Sequence, residues 1–138
     1  MRLGRTEADE QKAVIQWCVL MENRWSELAY IYHIPNGGSR NVREAANLKE
    51  EGVKAGVPDL ELPLAKGIYT GLHIEMKHGK NKVTKEQHNW LTALKKMGRC
   101  AAVCYEAESA IRIISEYMQL KEREYLSCDT EEGYPILR

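Results

Sequence analysis

Apolar residues recur at helical spacing over residues 6–21, where Ala13, Val14, Trp17, Cys18, Leu20 and Met21 form one stripe behind a polar, acidic first turn. Thr6 is placed to cap this helix, and Glu7 and Glu10 suit its positive end. Residues 28–34 are a β-rich run closed by Pro35-Asn36-Gly37-Gly38, a turn signal. Residues 41–53 have helix-forming composition, stop at Gly52 or Gly56, and are polar enough to predict a peripheral helix. Residues 57–64 and 68–76 read as two short strands joined by Ala65-Lys66-Gly67 into an antiparallel hairpin. A basic loop, 78–82, leads to a helix capped by Thr84 that runs to about Met97, carries Gln87, Trp90, Leu91 and Leu94 at helical spacing and stops at Gly98. A strand over 100–105 and a helix over 108–120 follow, and no period is visible after Lys121. The predicted order is α-β-α-β-β-α-β-α, which makes this an α/β chain.

A length of 138 residues fits one domain over 1–138, with a core at about 6–120 and a tail over 121–138. No apolar run approaches the ~20 residues of a membrane span, and the N-terminus lacks a signal-peptide apolar segment, so a cytoplasmic protein is expected. Cys18, Cys100, Cys104 and Cys128 form no CxxC pair; they read as reduced core residues, with Cys100 and Cys104 on one strand face. The 20 basic and 20 acidic residues cancel, which argues against a protein that coats nucleic acid by charge alone. Their distribution changes that picture. Between His73 and Arg99, the basic residues Lys77, Lys80, Lys82, Lys85, Lys95, Lys96 and Arg99 face only Glu75 and Glu86, so one face can bind phosphates.

The candidate chemistry lies in Gly56-Val57-Pro58-Asp59 and Glu75-Met76-Lys77. Period-two alternation puts His73, Glu75 and Lys77 on one face of the second hairpin strand and Leu72, Ile74 and Met76 on the other. Asp59 opens the partner strand, from which its carboxylate can reach Glu75. Two convergent carboxylates call for a cation, and hard oxygen donors select Mg²⁺ or Mn²⁺. Such an ion activates water and polarises a phosphoryl oxygen, while the Lys77 ammonium offsets developing charge. That points to hydrolysis of phosphodiesters. Glu10, one turn before the apolar stripe on the side of Val14 and Trp17, can complete a second metal position, with Glu7 as the competing candidate. Gln87 can bind water or a phosphate. Asn36, Gly37, Gly38 and Arg40 offer close backbone approach and a guanidinium to a phosphate, beside Lys80, Lys82 and Lys85.

Together TEADEQKAVIQW, HIPNGGSR, GVPDLELP, GLHIEMK, TKEQHNWLTALKKMG and CAAVCY resemble the virus-type replication-repair nuclease (VRR-NUC) family of the PD-(D/E)XK superfamily, over roughly residues 6–117. The resemblance implies a restriction-endonuclease-like core, a mixed β-sheet flanked by helices. It implies Asp59, Glu75 and the Met76 carbonyl as ligands of Mg²⁺ or Mn²⁺, Lys77 as the catalytic lysine, Gln87 as an accessory, and no organic cofactor. Glu10 and Glu7 both align with the first-helix glutamate. It further implies a homodimeric endonuclease of branched, Holliday-junction-like DNA, leaving 5′-phosphate and 3′-hydroxyl ends, in the cytoplasm of a bacterial host if phage-encoded. The alternatives are a nuclease of simple duplex or single-stranded DNA, and a non-catalytic DNA-binding module on the same fold.

Overall fold

β-branched and aliphatic residues alternate through the centre of the chain, and there they build a five-stranded mixed sheet between helices. The computed structural model describes residues 4–35 and 41–138. The elements are α1 (Glu7–Leu20), β1 (Tyr32–His33), α2 (Val42–Glu50), β2 (Leu60–Leu62), β3 (Leu72–Lys77), α3 (Lys85–Lys96), β4 (Cys100–Tyr105), α4 (Glu106–Met118) and β5 (Ile136–Leu137). Strands lie in the order β1-β2-β3-β4-β5. The first three are antiparallel to their neighbours, while β3, β4 and β5 run parallel, with α3 as the crossover from β3 to β4.

Side-chain alternation sorts the layers. Leu72, Ile74 and Met76 of β3 join Cys100, Ala102 and Cys104 of β4 in the main core beneath α1 and α4, which contributes Ile113, Ile114 and Tyr117. The other face of β4 presents Ala101, Val103 and Tyr105 to Leu91 and Leu94 of α3. Both faces of β3 and β4 are therefore covered, as parallel strands require. The four cysteines are free; three are buried, and burial pushes the Cys18 thiol up to about 12, so they act as small apolar residues.

Helices α1 and α3 start where their caps predict, while α4 starts two residues earlier than expected, at Glu106, without a side-chain cap from Tyr105. Thr6 and Asp9 form a reciprocal capping box on α1, Asn41 caps α2, and Thr84 with Gln87 forms a second box on α3. No residue of α2 is buried, in keeping with its polarity.

Three segments depart from the pattern. The β-rich run over 28–34 begins inside a 3-10 turn, Ser26–Tyr30, which buries Leu28 in the core, and only Tyr32 and His33 are paired into the sheet. The hairpin strands are shorter than predicted: β2 is three residues, and most of the link to β3 is irregular apart from a Lys66 to Tyr69 bridge. The aperiodic tail is anchored, since Leu126 is buried, the Tyr69 hydroxyl accepts from its N–H at 2.9 Å, and β5 adds the last strand beside β4.

Candidate active site

Asp59 and Glu75 meet because β2 pairs with β3 in the register Leu60 to Ile74, which leaves the residue before β2 opposite the end of β3. The Met76 N–H donates to Asp59 Oδ2 at 2.8 Å and fixes that carboxyl against the strand end. Glu75 is 3% exposed, and its carboxyl lies within hydrogen-bonding reach of Asp59. Burial, then the neighbouring carboxylate, pushes Glu75 up to about 9; burial also raises Asp59, against the bond from Met76. Glu75 thus resists ionising beside Asp59, whereas the hydrogen bond from Glu75 favours the ionised form of Asp59. Lys77, only 5% exposed, places Nζ 4.0 Å from Glu75 Oε2 and partly offsets this.

Gln87 closes the cluster from α3. Its Nε2 donates to Glu75 Oε2 at 3.1 Å, while its Oε1 accepts the Thr84 N–H at 2.9 Å. One side chain therefore caps a helix and orients a carboxylate.

Helix α1 contributes two glutamates with different surroundings. The negative charge of half-buried Glu7 raises both Asp59 and Glu75, so Glu7 faces the cluster, where Asn81 Nδ2 donates to its Oε2. Glu10 lies on the buried face with Val14 and Cys18 instead. Its Oε1 accepts the Ala107 N–H at 2.8 Å, and its Oε2 lies 2.6 Å from Arg5 Nε. Tyr105, the N-cap of α4, makes no side-chain cap bond, and Glu10 supplies one from α1. Ligand atoms of Glu10, His78 and Glu106 also come within 4.8 Å of one another, with His78 Nδ1 and Glu106 Oε2 at 3.0 Å. In that group Glu10 is already engaged by a helix N-terminus and a guanidinium, both of which disfavour a cation.

His33 carries no separate signal in the sequence, yet its Nδ1–H donates to the Asp59 carbonyl at 2.8 Å. The Ile34 N–H binds the same oxygen at 2.8 Å, so β1 holds the aspartate from the main-chain side. Only the cross-strand pairing of His33 with Leu60 reveals this role, and strand pairing is not visible in a single sequence. On the same sheet face as Glu75, His73 accepts from Arg99 Nη1 at 3.0 Å, and that nitrogen also donates to Glu61 Oε2 at 2.6 Å.

Lys80, Lys82 and Lys85 are exposed beside the cluster, while Asn36, Gly37, Gly38 and Arg40 lie outside the described residues. Two opposed carboxyls, a buried ammonium and an oriented amide, all on hard oxygen and nitrogen atoms, fit a small divalent cation. Among the described residues no helix is long and apolar enough to cross a membrane.

The model of the VRR-NUC domain family matches residues 5–108. A solved structure of a VRR-NUC domain protein is similar at a TM-score of 0.74 and 34% identity, covering 88% of this chain and 94% of that one. Among curated proteins none matches.

Proposed function

Because the chain belongs to the VRR-NUC family, nucleases of the PD-(D/E)XK type, we propose that it is a divalent-metal-dependent DNA endonuclease acting as a homodimer on branched, junction-like DNA. The observation that carries this is the convergence of Asp59 and Glu75 at the ends of β2 and β3 with Lys77 4.0 Å away. Asp59, Glu75 and the Met76 carbonyl hold Mg²⁺ or Mn²⁺, with Glu7 rather than Glu10 as the carboxylate from α1. The cation, when bound, supplies Lewis-acid activation of the phosphoryl group and a water of lowered pKa.

The chain's own groups do the remaining work. The Met76 N–H holds the Asp59 carboxyl, and the two bonds to the Asp59 carbonyl fix its backbone, so this ligand is positioned before a cation binds. Gln87 orients Glu75 through Oε2. Lys77, desolvated between β3 and α3, presents a positive charge to the negative charge that develops on the phosphate oxygens and leaving group. In-line attack leaves a 5′-phosphate and a 3′-hydroxyl. Exposed Lys80, Lys82 and Lys85 bind flanking phosphates. A chain with one such cluster needs a second copy to cut two strands symmetrically.

Purified protein, with Mg²⁺ or Mn²⁺, is incubated with a labelled four-way junction and with linear duplex of the same sequence, beside Lys77→Ala. Metal-dependent cutting of the junction, lost in Lys77→Ala, is the expected result. Equal rates on both DNAs sink the junction preference, and full activity in Lys77→Ala sinks the site.

A further inference from the structure

A groove of about 590 Å³ lies beside the catalytic cluster, walled by Ile34, Leu48, Val53, Val57 and Trp90, with Lys54 at its rim. Three of its walls belong to the segments that build the cluster. The Ile34 N–H binds the Asp59 carbonyl, Val57 precedes Asp59 by two residues, and Trp90 follows Gln87 by one turn of α3. The walls are also locked to one another. Gly56 has φ +91°, and a Cβ there would stand 2.5 Å from the Glu86 carbonyl carbon, so the loop before Asp59 presses directly on the first turn of α3.

Volume and lining decide what fits. The groove falls within the roughly 300–1,000 Å³ of sites that hold small organic ligands. Its walls are mostly apolar, with Glu51 and Lys54 as the two charged side chains; the one indole matches a flat, π-faced heterocycle, and Lys54 can meet the phosphate attached to it.

From this we infer that the groove is a nucleobase pocket, which receives an unstacked base of the DNA strand next to the bond being cut. A base stacked within a paired helix has both faces covered and cannot enter. The substrate class is therefore DNA with an unpaired nucleotide beside the cut, as at a flap, bulge or branch point. This rests on the nuclease function proposed above and deepens it.

The test uses DNA carrying 2-aminopurine at a single unpaired position beside the cut. Binding is read as fluorescence with cleavage blocked by Lys77→Ala, and cleavage is read in the active protein on unpaired and fully paired versions of one sequence. Quenching is expected, retained in Trp90→Phe and lost in Trp90→Ala. Cleavage of the unpaired substrate falls about ten-fold or more in Trp90→Ala, the scale of one lost stacking contact, while the paired substrate changes little. Leu48→Glu, on the peripheral helix α2, provides a second variant that leaves the core untouched and is expected to act like Trp90→Ala. Quenching that survives both variants, or an unchanged cleavage ratio, overturns the pocket while leaving the nuclease function standing. A change of oligomeric state in Leu48→Glu without loss of quenching identifies a second copy as the occupant and also overturns it. Absence of metal-dependent cutting by the wild type refutes the nuclease function, and the quenching then still decides the pocket.

Discussion

Gln87 joins Glu75 to Thr84: its Nε2 donates to the Glu75 carboxyl at 3.1 Å, and its Oε1 accepts the Thr84 N–H at 2.9 Å. The two jobs separate by substitution. Gln87→Glu keeps the acceptor that closes the capping box and replaces the donor with a third acid beside Glu75 and Asp59. Gln87→Ala loses both. Thermal unfolding is expected to show a loss of about 1 kcal/mol for Gln87→Ala, the usual worth of a cap. Mn²⁺ titration by calorimetry is expected to show ~10–100-fold weaker binding for Gln87→Ala, the scale seen for partners of metal ligands. Unchanged metal affinity in Gln87→Ala would remove Gln87 from the site and leave it a cap.

Lys77 is almost fully buried beside Glu75. Lys77→Met keeps the length of the stem and loses only the charge. Cleavage is expected to fall by ~10²-fold or more, the cost of one group aimed at transition-state charge, while Mn²⁺ still binds. A variant that loses metal binding and cleavage together would make Lys77 a structural partner of Glu75, not a catalytic group.

The glutamates of α1 give opposite expectations. Glu7→Gln removes a half-buried carboxylate whose charge reaches Asp59 and Glu75, and it is expected to weaken Mn²⁺ binding and cleavage with little loss of stability. Glu10→Gln weakens a buried charge-assisted bond to Ala107 and the pair with Arg5, costing ~1–3 kcal/mol in unfolding experiments, with metal affinity preserved. The reverse pattern would return the ligand role to Glu10.

That contrast marks what the chain's pattern discloses. The stripe of α1 places Glu10 with Val14, and the observed helix has both on its buried face; what lies opposite Glu10 is the start of α4, nearly a hundred residues later, and no local pattern encodes that meeting. Glu75 and Lys77 were legible because alternation within one strand fixes their face, and Asp59 because its partner strand is close in sequence. Gln87 was legible as a polar residue in the first turn of the helix after the basic loop, but its bond to Glu75 was not, since it joins that helix to a separate strand. His33 was not, since its bond to Asp59 depends on a two-residue edge strand whose surroundings fold as 3-10 turns. β5 escaped for the same reason: two residues in an aperiodic tail carry no period, and only the open edge of β4 recruits them.

The buried carboxyls also predict a pH dependence of unusual sign. Glu75 titrates at about 9 in the folded chain, against its ordinary 4.5, chiefly through burial and then through Asp59. Between these values the folded chain keeps a proton that the unfolded chain has released. Stability of the metal-free protein therefore falls as pH rises through that window, opposite to the usual salt-bridged carboxylate. A divalent cation favours the ionised form and takes the place of the proton, so its binding releases protons and tightens as pH rises. Melting temperatures measured without metal are expected to decline from about pH 5 to about pH 9 and to recover with excess Mn²⁺, most strongly at the alkaline end. Glu75→Gln, neutral at every pH and close in shape, is expected to flatten both trends. A wild-type melting temperature that stays level across this range without metal, or a Glu75→Gln slope equal to the wild type's, would show that the Asp59 and Glu75 pair does not hold its proton and that the cluster is already ionised before a cation arrives.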